Sequence, residues 1–214
     1  MLPLYDESAT SLKPPYFTLA LILVNVLIFG MIYLSGNFDD IIFKYGTIPN
    51  QILNGENLFT LLTSIFLHAG IFHLVGNMWF LWLFGDNLEW NLGPKRFIIF
   101  YLIVGIIASL CHIFAAPPEY SNIPAIGASG AISGLLGGYL VLFPHNRIRA
   151  FMMVWFRPYF FYVPAYLYIG IWFLYQLFYI GTPVSVAYMA HIGGFIGGII
   201  LILPLRRKII RKDY

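Results

Sequence analysis

Residues 127–138 read GASGAISGLLGG, a run stripped almost to backbone inside a chain that is otherwise bulky and apolar. Its surroundings set the solvent in which it works. Of the 214 residues, 60% are hydrophobic, 19% aromatic and only 10% charged, whereas about a quarter of a soluble domain is charged. The chain therefore reads as a membrane protein. In lipid the hydrophobic effect does not drive helices together, so close approach needs small residues. Gly130, Gly134 and Gly138, at steps of four, form one bare helix face. A second lies in AHIGGFIGG (residues 190–198), where Gly194 and Gly198 share a face with His191. The two faces are predicted to meet.

Charge-free runs between Lys13 and Asp39, Glu56 and Asp86, Arg96 and Glu119, and Glu119 and Arg147 are each long enough for one spanning helix of about 20 residues. A fifth run, Pro158 to Leu205, is broken at YIGTPVS and reads as two helices joined by a tight turn. The expectation is an all-α polytopic protein of one domain over residues 1–214, with six spans at roughly 16–35, 68–85, 96–115, 127–144, 162–180 and 187–205. With the N-terminus in the cytoplasm, all basic residues but Lys44 lie on inward segments, namely Lys13, Lys95, Arg96, Arg147, Arg149, Arg157 and the tail RRKIIRK. This matches the positive-inside bias and puts both termini in the cytoplasm. The net charge of +3 thus needs no nucleic acid to explain it. One cysteine, Cys111, allows no internal disulfide.

Close packing of the two bare faces would join a hydroxyl, Ser129, to an imidazole, His191, which is a nucleophile with a base. A lone membrane Ser ordinarily bonds its own backbone and a lone membrane His is ordinarily structural. The coincidence of the two carries the chemical reading. Under the expected topology, spans two, four and six run in the same direction, so HAGIFHLVGN (residues 68–77) brings His68, His73 and Asn77 to the same level. Ser129 stands where its N–H has no intrahelical acceptor. With the side chains of Asn77 and His73, that N–H would make an oxyanion hole.

With these residues in place, the sequence resembles the rhomboid intramembrane serine proteases over nearly its whole length. GASG (127–130) matches the family's nucleophile box at Ser129, HIGGFIGG (191–198) its base at His191, and HLVGN (73–77) its oxyanion side chains at His73 and Asn77. FGDNLEWNLG (84–93), including Glu89, matches the turn that follows span two. Ala131 separates the box from the Gly-x-Ser-x-Gly elbow of soluble hydrolases. Phe59 and Thr60 depart from the Trp-Arg pair of many relatives, and Ser133 stands where many have an aromatic able to stack on the catalytic His. Ser133 reads as a packing residue, His68 as a structural hydrogen-bonder, and Asn25, His112 and His145 as structural or interfacial.

The resemblance implies a six-helix bundle and acyl transfer by a Ser129–His191 dyad, with Asn77, His73 and the Ser129 N–H holding the oxyanion. Gly127, Gly130, Gly134, Gly194 and Gly198 support the packing. It implies no metal, no cofactor and transmembrane segments of other proteins as substrates in the bilayer; the topology puts the active site toward the outer face, and a bare six-span core reads as that of a prokaryotic plasma membrane. Span five, AYLYIGIWFLYQLFYI, with few small residues, is the expected gate. Two other classes stay open: an inactive relative that binds and escorts membrane proteins, and a small-solute transporter, although two related halves of the latter kind are not evident.

Overall fold

The computed structural model describes residues 1–7, 14–180 and 187–210. Lys13, most of the break expected at YIGTPVS, and the end of the basic tail lie outside the described residues. The chain runs through strand β1 (Leu2–Asp6), helix α1 (Tyr16–Ser35), three short helices α2 (Phe38–Tyr45), α3 (Pro49–Leu53) and α4 (Thr60–Thr63), then α5 (Ile71–Leu92), α6 (Pro94–Ala115) and α7 (Ser129–Leu142). Strands β2 (Arg147–Val154) and β3 (Arg157–Pro164) precede α8 (Ala165–Phe178) and α9 (Tyr188–Ile210). Gly36 ends α1 in the left-handed region at φ 72°, a frequent helix stop. Gly93, at φ 78°, separates α5 from α6, and Pro94 opens the latter, where a missing N–H costs nothing.

Helices α1, α6 and α9 are each long and apolar enough to cross a membrane, with mean hydropathies of 2.5, 2.5 and 1.8. A fourth span forms if α4 and the turn after it, bent by 94° against α5, count with that helix. The protein is thus an integral membrane protein of mostly helical structure. Helices α7 and α8 have 14 residues each and rise only about 21 Å, short of a hydrocarbon core of about 30 Å. For α7 the reason is its place: every residue from Gly130 to Tyr139 is buried, so protein rather than lipid surrounds it.

Two local expectations are corrected. The fold is not all-α, because β1, β2 and β3 form an antiparallel sheet in that order. Its β2–β3 hairpin pairs Arg147 with Pro164 through Val154 with Arg157, and buries Ile148 and Ala150 while Arg147 stays exposed. Residues 162–164, expected as the start of span five, belong to this hairpin. Secondly, FGDNLEWNLG is not a turn until its last residue; α5 stays helical through Leu92.

Why α5 must run on is visible at its end. The buried Glu89 carboxylate accepts the N–H groups of Phe17 and Thr18 at 2.9 and 2.7 Å and the Thr18 hydroxyl at 2.8 Å. It caps the first turn of α1 with the negative charge that a helix N-terminus favours. Asn87 donates to Asp6 at 3.0 Å, and the Tyr139 hydroxyl donates to the same carboxylate, tying β1 to α5 and α7. Replacing Glu89 with Ala is expected to cost roughly 2–4 kcal/mol, since it strands two backbone donors and removes charge-assisted bonds. A thermal melt in detergent reads this as a lowered midpoint. An unchanged midpoint would mean that α1 is held by its lipid-facing packing alone.

Candidate active site

Helix α7 sits between two neighbours, and glycine is required on both sides. A Cβ added at Gly194 or Gly198 of α9 would overlap the backbone carbonyl of Gly130 or Gly134, and one at Gly137 would overlap the carbonyl of Phe195. These contacts are backbone against backbone, which no rotamer can relieve. The sequence placed Gly130, Gly134 and Gly138 on one face toward α9, but that face serves mainly α6. Added Cβ atoms there would meet Ala108 at 2.6 Å, Val104 at 2.6 Å, and Leu88 of α5 at 2.9 Å with Phe100 of α6 at 3.2 Å. The contact of α7 with α9 is as expected; the stripe is shared between two partners.

This packing sets the distance between the candidate nucleophile and base. Ser129 is the first residue of α7 and His191 lies one turn into α9. Ser129 Oγ is 2.8 Å from His191 Nε2. On the far side of the ring, His191 Nδ1 is 2.8 Å from Oε1 of Gln176 on α8, a residue the sequence reading passed over. Ser133 has its hydroxyl committed, donating to the Ser129 carbonyl at 2.6 Å, and is buried. Trp172 of α8 lies with its ring centroid 6.2 Å from that of His191 at 34°. A tryptophan of another helix thus lies beside the His191 ring.

The loop before α7 is pinned by the Gly127 N–H, which donates to the Ser64 carbonyl at 2.9 Å. Gly127 adopts φ 124°, and a Cβ there would lie 2.9 Å from His73 Nε2; both facts restrict the position to glycine. His73 is therefore packed directly on the backbone that leads into Ser129. Its Nδ1 accepts the Ala69 N–H at 3.4 Å, which leaves Nε2 to carry the proton as a donor. Asn77 is buried and gives one amide hydrogen to the His73 carbonyl at 3.0 Å, so its second remains to be donated. The Ser129 N–H, at the first position of its helix, has no intrahelical acceptor. His73 of α5 thus lies beside the loop that leads into Ser129.

His68 is almost wholly buried. Among the described residues neither of its ring nitrogens has a hydrogen-bond partner, and its ring packs edge-on against His73 at 5.1 Å. Asn25 back-bonds to the Leu21 carbonyl at 2.8 Å, and His145 packs against Tyr166, as structural residues do. His112 lines a cavity of about 410 Å³, its mouth included, together with Ser64, Ser109, Ser129 and Ala190. Among the described residues, no three His, Cys, Asp or Glu side chains gather as a metal-ligand group.

Comparison with known proteins gives this helix bundle a family. The family model for the rhomboid domain matches residues 55–208. The chain belongs to the rhomboid family. Among curated proteins, it is 34% identical over 135 residues to rhomboid protease GluP of Bacillus subtilis, covering 62% of this chain and 26% of that one. It is 32% identical over 143 residues to the mitochondrial rhomboid protein 1 of Saccharomyces cerevisiae, covering 65% and 40%. It is also 42% identical over 99 residues to putative rhomboid protease YdcA of Bacillus subtilis, covering 45% and 48%. The matches span less than half the length of each of these relatives.

Proposed function

We propose that this protein is a serine endopeptidase that cuts transmembrane segments of other proteins within the bilayer. The observation that carries the reading is the 2.8 Å contact between Ser129 Oγ and His191 Nε2. In the proposed reaction, Oγ attacks the carbonyl carbon of a peptide bond while Nε2 takes its proton. The oxyanion is met by the Ser129 N–H, the free amide hydrogen of Asn77 and Nε2–H of His73. The C–N bond breaks as His191 returns the proton to the amine, and water hydrolyses the acyl-enzyme with the same base. The cavity beside Ser129 offers room for that water. Gly194 and Gly198 act by letting α9 reach the carbonyls of Gly130 and Gly134, Gly127 acts by admitting His73 beside the loop before Ser129, and neither metal nor cofactor enters the scheme.

In the same proposal α1, α5, α6, α7, α8 and α9 are the six spans of one domain covering residues 1–214, with both termini in the cytoplasm and Ser129 toward the outer face. Lys95, Arg96 and the arginines of the β2–β3 hairpin follow the helix ends opposite to Ser129, which supports that orientation through the positive-inside bias. A plasma membrane of a prokaryote is the proposed location.

The test is a fluorophosphonate probe on the full chain in lipid, with the labelled residue located by mass spectrometry. Labelling is expected at Ser129 and to vanish in Ser129→Ala while persisting in Ser133→Ala. The reverse pattern would overturn the assignment. Asn77→Ala is expected to lower turnover by roughly a hundred- to a thousandfold, the range for loss of one oxyanion donor, with its melting point close to wild type. Unaltered turnover would remove Asn77 from the hole.

A further inference from the structure

Among the described residues, Gln176 is the hydrogen-bond partner of His191 at the ring nitrogen turned away from Ser129. It lies on α8 in an otherwise apolar stretch and is 3% exposed. A buried amide must place both its ends, and this one does. Its Nε2 donates to the Trp172 carbonyl at 3.2 Å, a partner that can only accept. The amide is thereby fixed in orientation, and Oε1 is the atom left facing His191 Nδ1 at 2.8 Å. Since Oε1 can only accept, the Nδ1 nitrogen must carry the imidazole proton. Nε2 is then left with a lone pair, aimed at the Ser129 hydroxyl 2.8 Å away.

We propose that Gln176 is a positioning residue, which sets the tautomer and ring orientation of His191 through a one-way hydrogen-bond chain from the Trp172 carbonyl to the Ser129 hydroxyl. The inference rests on the proposed role of Ser129 and His191 and adds a third, uncharged member to that pair. A histidine's free nitrogen is chosen by the bond its other nitrogen makes. In a neutral imidazole without an Nδ1 acceptor, the proton is free to sit on Nε2, where it blocks the base. The chain also links α8 to catalysis. Helix α8 meets α9 through ring contacts such as Phe173 on Phe195, with centroids 4.4 Å apart, and Gln176 adds a polar contact to His191. A displacement of α8 that breaks the Gln176–His191 bond therefore leaves the base unoriented until the helix returns.

The experiment measures fluorophosphonate labelling rates of the full chain in lipid across pH for wild type, Gln176→Met and Gln176→Glu. Met keeps the length and loses the acceptor. Its saturating labelling rate is expected to fall about ten- to a hundredfold, with the half-saturating probe concentration unchanged. Glu keeps the acceptor and adds negative charge, which favours protonated imidazole. The acid limb of its pH–rate profile is therefore expected to move to higher pH, with labelling restored above the new limb. Nitrogen NMR of imidazole-labelled wild type should find the proton on Nδ1 of His191. Met labelling at the wild-type rate, a Glu limb that stays in place, or a proton on Nε2 would each overturn the proposal. If the Met variant does not fold, the Glu limb and the wild-type spectrum decide. Failure of the underlying reading looks different: wild type itself would not label at Ser129.

Discussion

Replacing His191 with Ala is expected to reduce Ser129 labelling and substrate cleavage by on the order of 10⁴- to 10⁶-fold, the range for removing one member of a coupled nucleophile and base. The ring bridges Ser129 Oγ and Gln176 Oε1, each at 2.8 Å, so its loss leaves the hydroxyl without a proton acceptor. Hydrophobic contacts of α9 lie elsewhere, at Ile192, Phe195 and Ile202, and the fold is expected to hold. Circular dichroism and a thermal melt accompany the rate measurement. Labelling within tenfold of wild type in a folded His191→Ala protein would mean that another group activates Ser129.

The second large effect follows from backbone contact. A Val side chain at Gly194 would drive its Cβ into the carbonyl of Gly130, with the Cβ of Ala108 also at 3.3 Å. Relief requires α9 to move away from α7 by on the order of 1 Å, and a displacement of that size between reacting groups costs about a hundredfold in rate. Cleavage and labelling should both fall by at least about that factor, although the protein inserts and stays helical. Gly30 of α1 has nothing within 4 Å of an added Cβ, so Gly30→Val serves as the control with wild-type rates. Equal rates in the Gly194 and Gly30 variants would remove the glycine contact from the account.

Much of the site was legible because lipid makes small residues informative. Bare faces at residues 130–138 and 191–198 pointed to a close pair of helices, and Ser129 and His191 followed from their places on them. The shared use of the α7 stripe was not legible, since glycine marks closeness without naming the partner. The sheet was hidden for a different reason. RIRA (147–150) alternates as a strand should, but FMMVWF and YFFYVP continue as unbroken apolar runs that look like membrane sequence. Its hairpin turns on Trp155 and Phe156, at φ 49° and 61°, conformations in which Asn-Gly would have been the signal. Gln176 left one trace: a single amide in an aromatic span, where a buried polar side chain has to be bonded to something.

Incubation of the purified protein in lipid vesicles with a panel of tagged single-span membrane proteins, beside its Ser129→Ala variant, tests the central claim most directly. Cleavage within or at the edge of a transmembrane segment of at least one substrate is expected by the wild type, with none by the variant at equal protein and lipid. Equal cleavage by the two proteins, or none by a wild type that is folded and inserted, would contradict it.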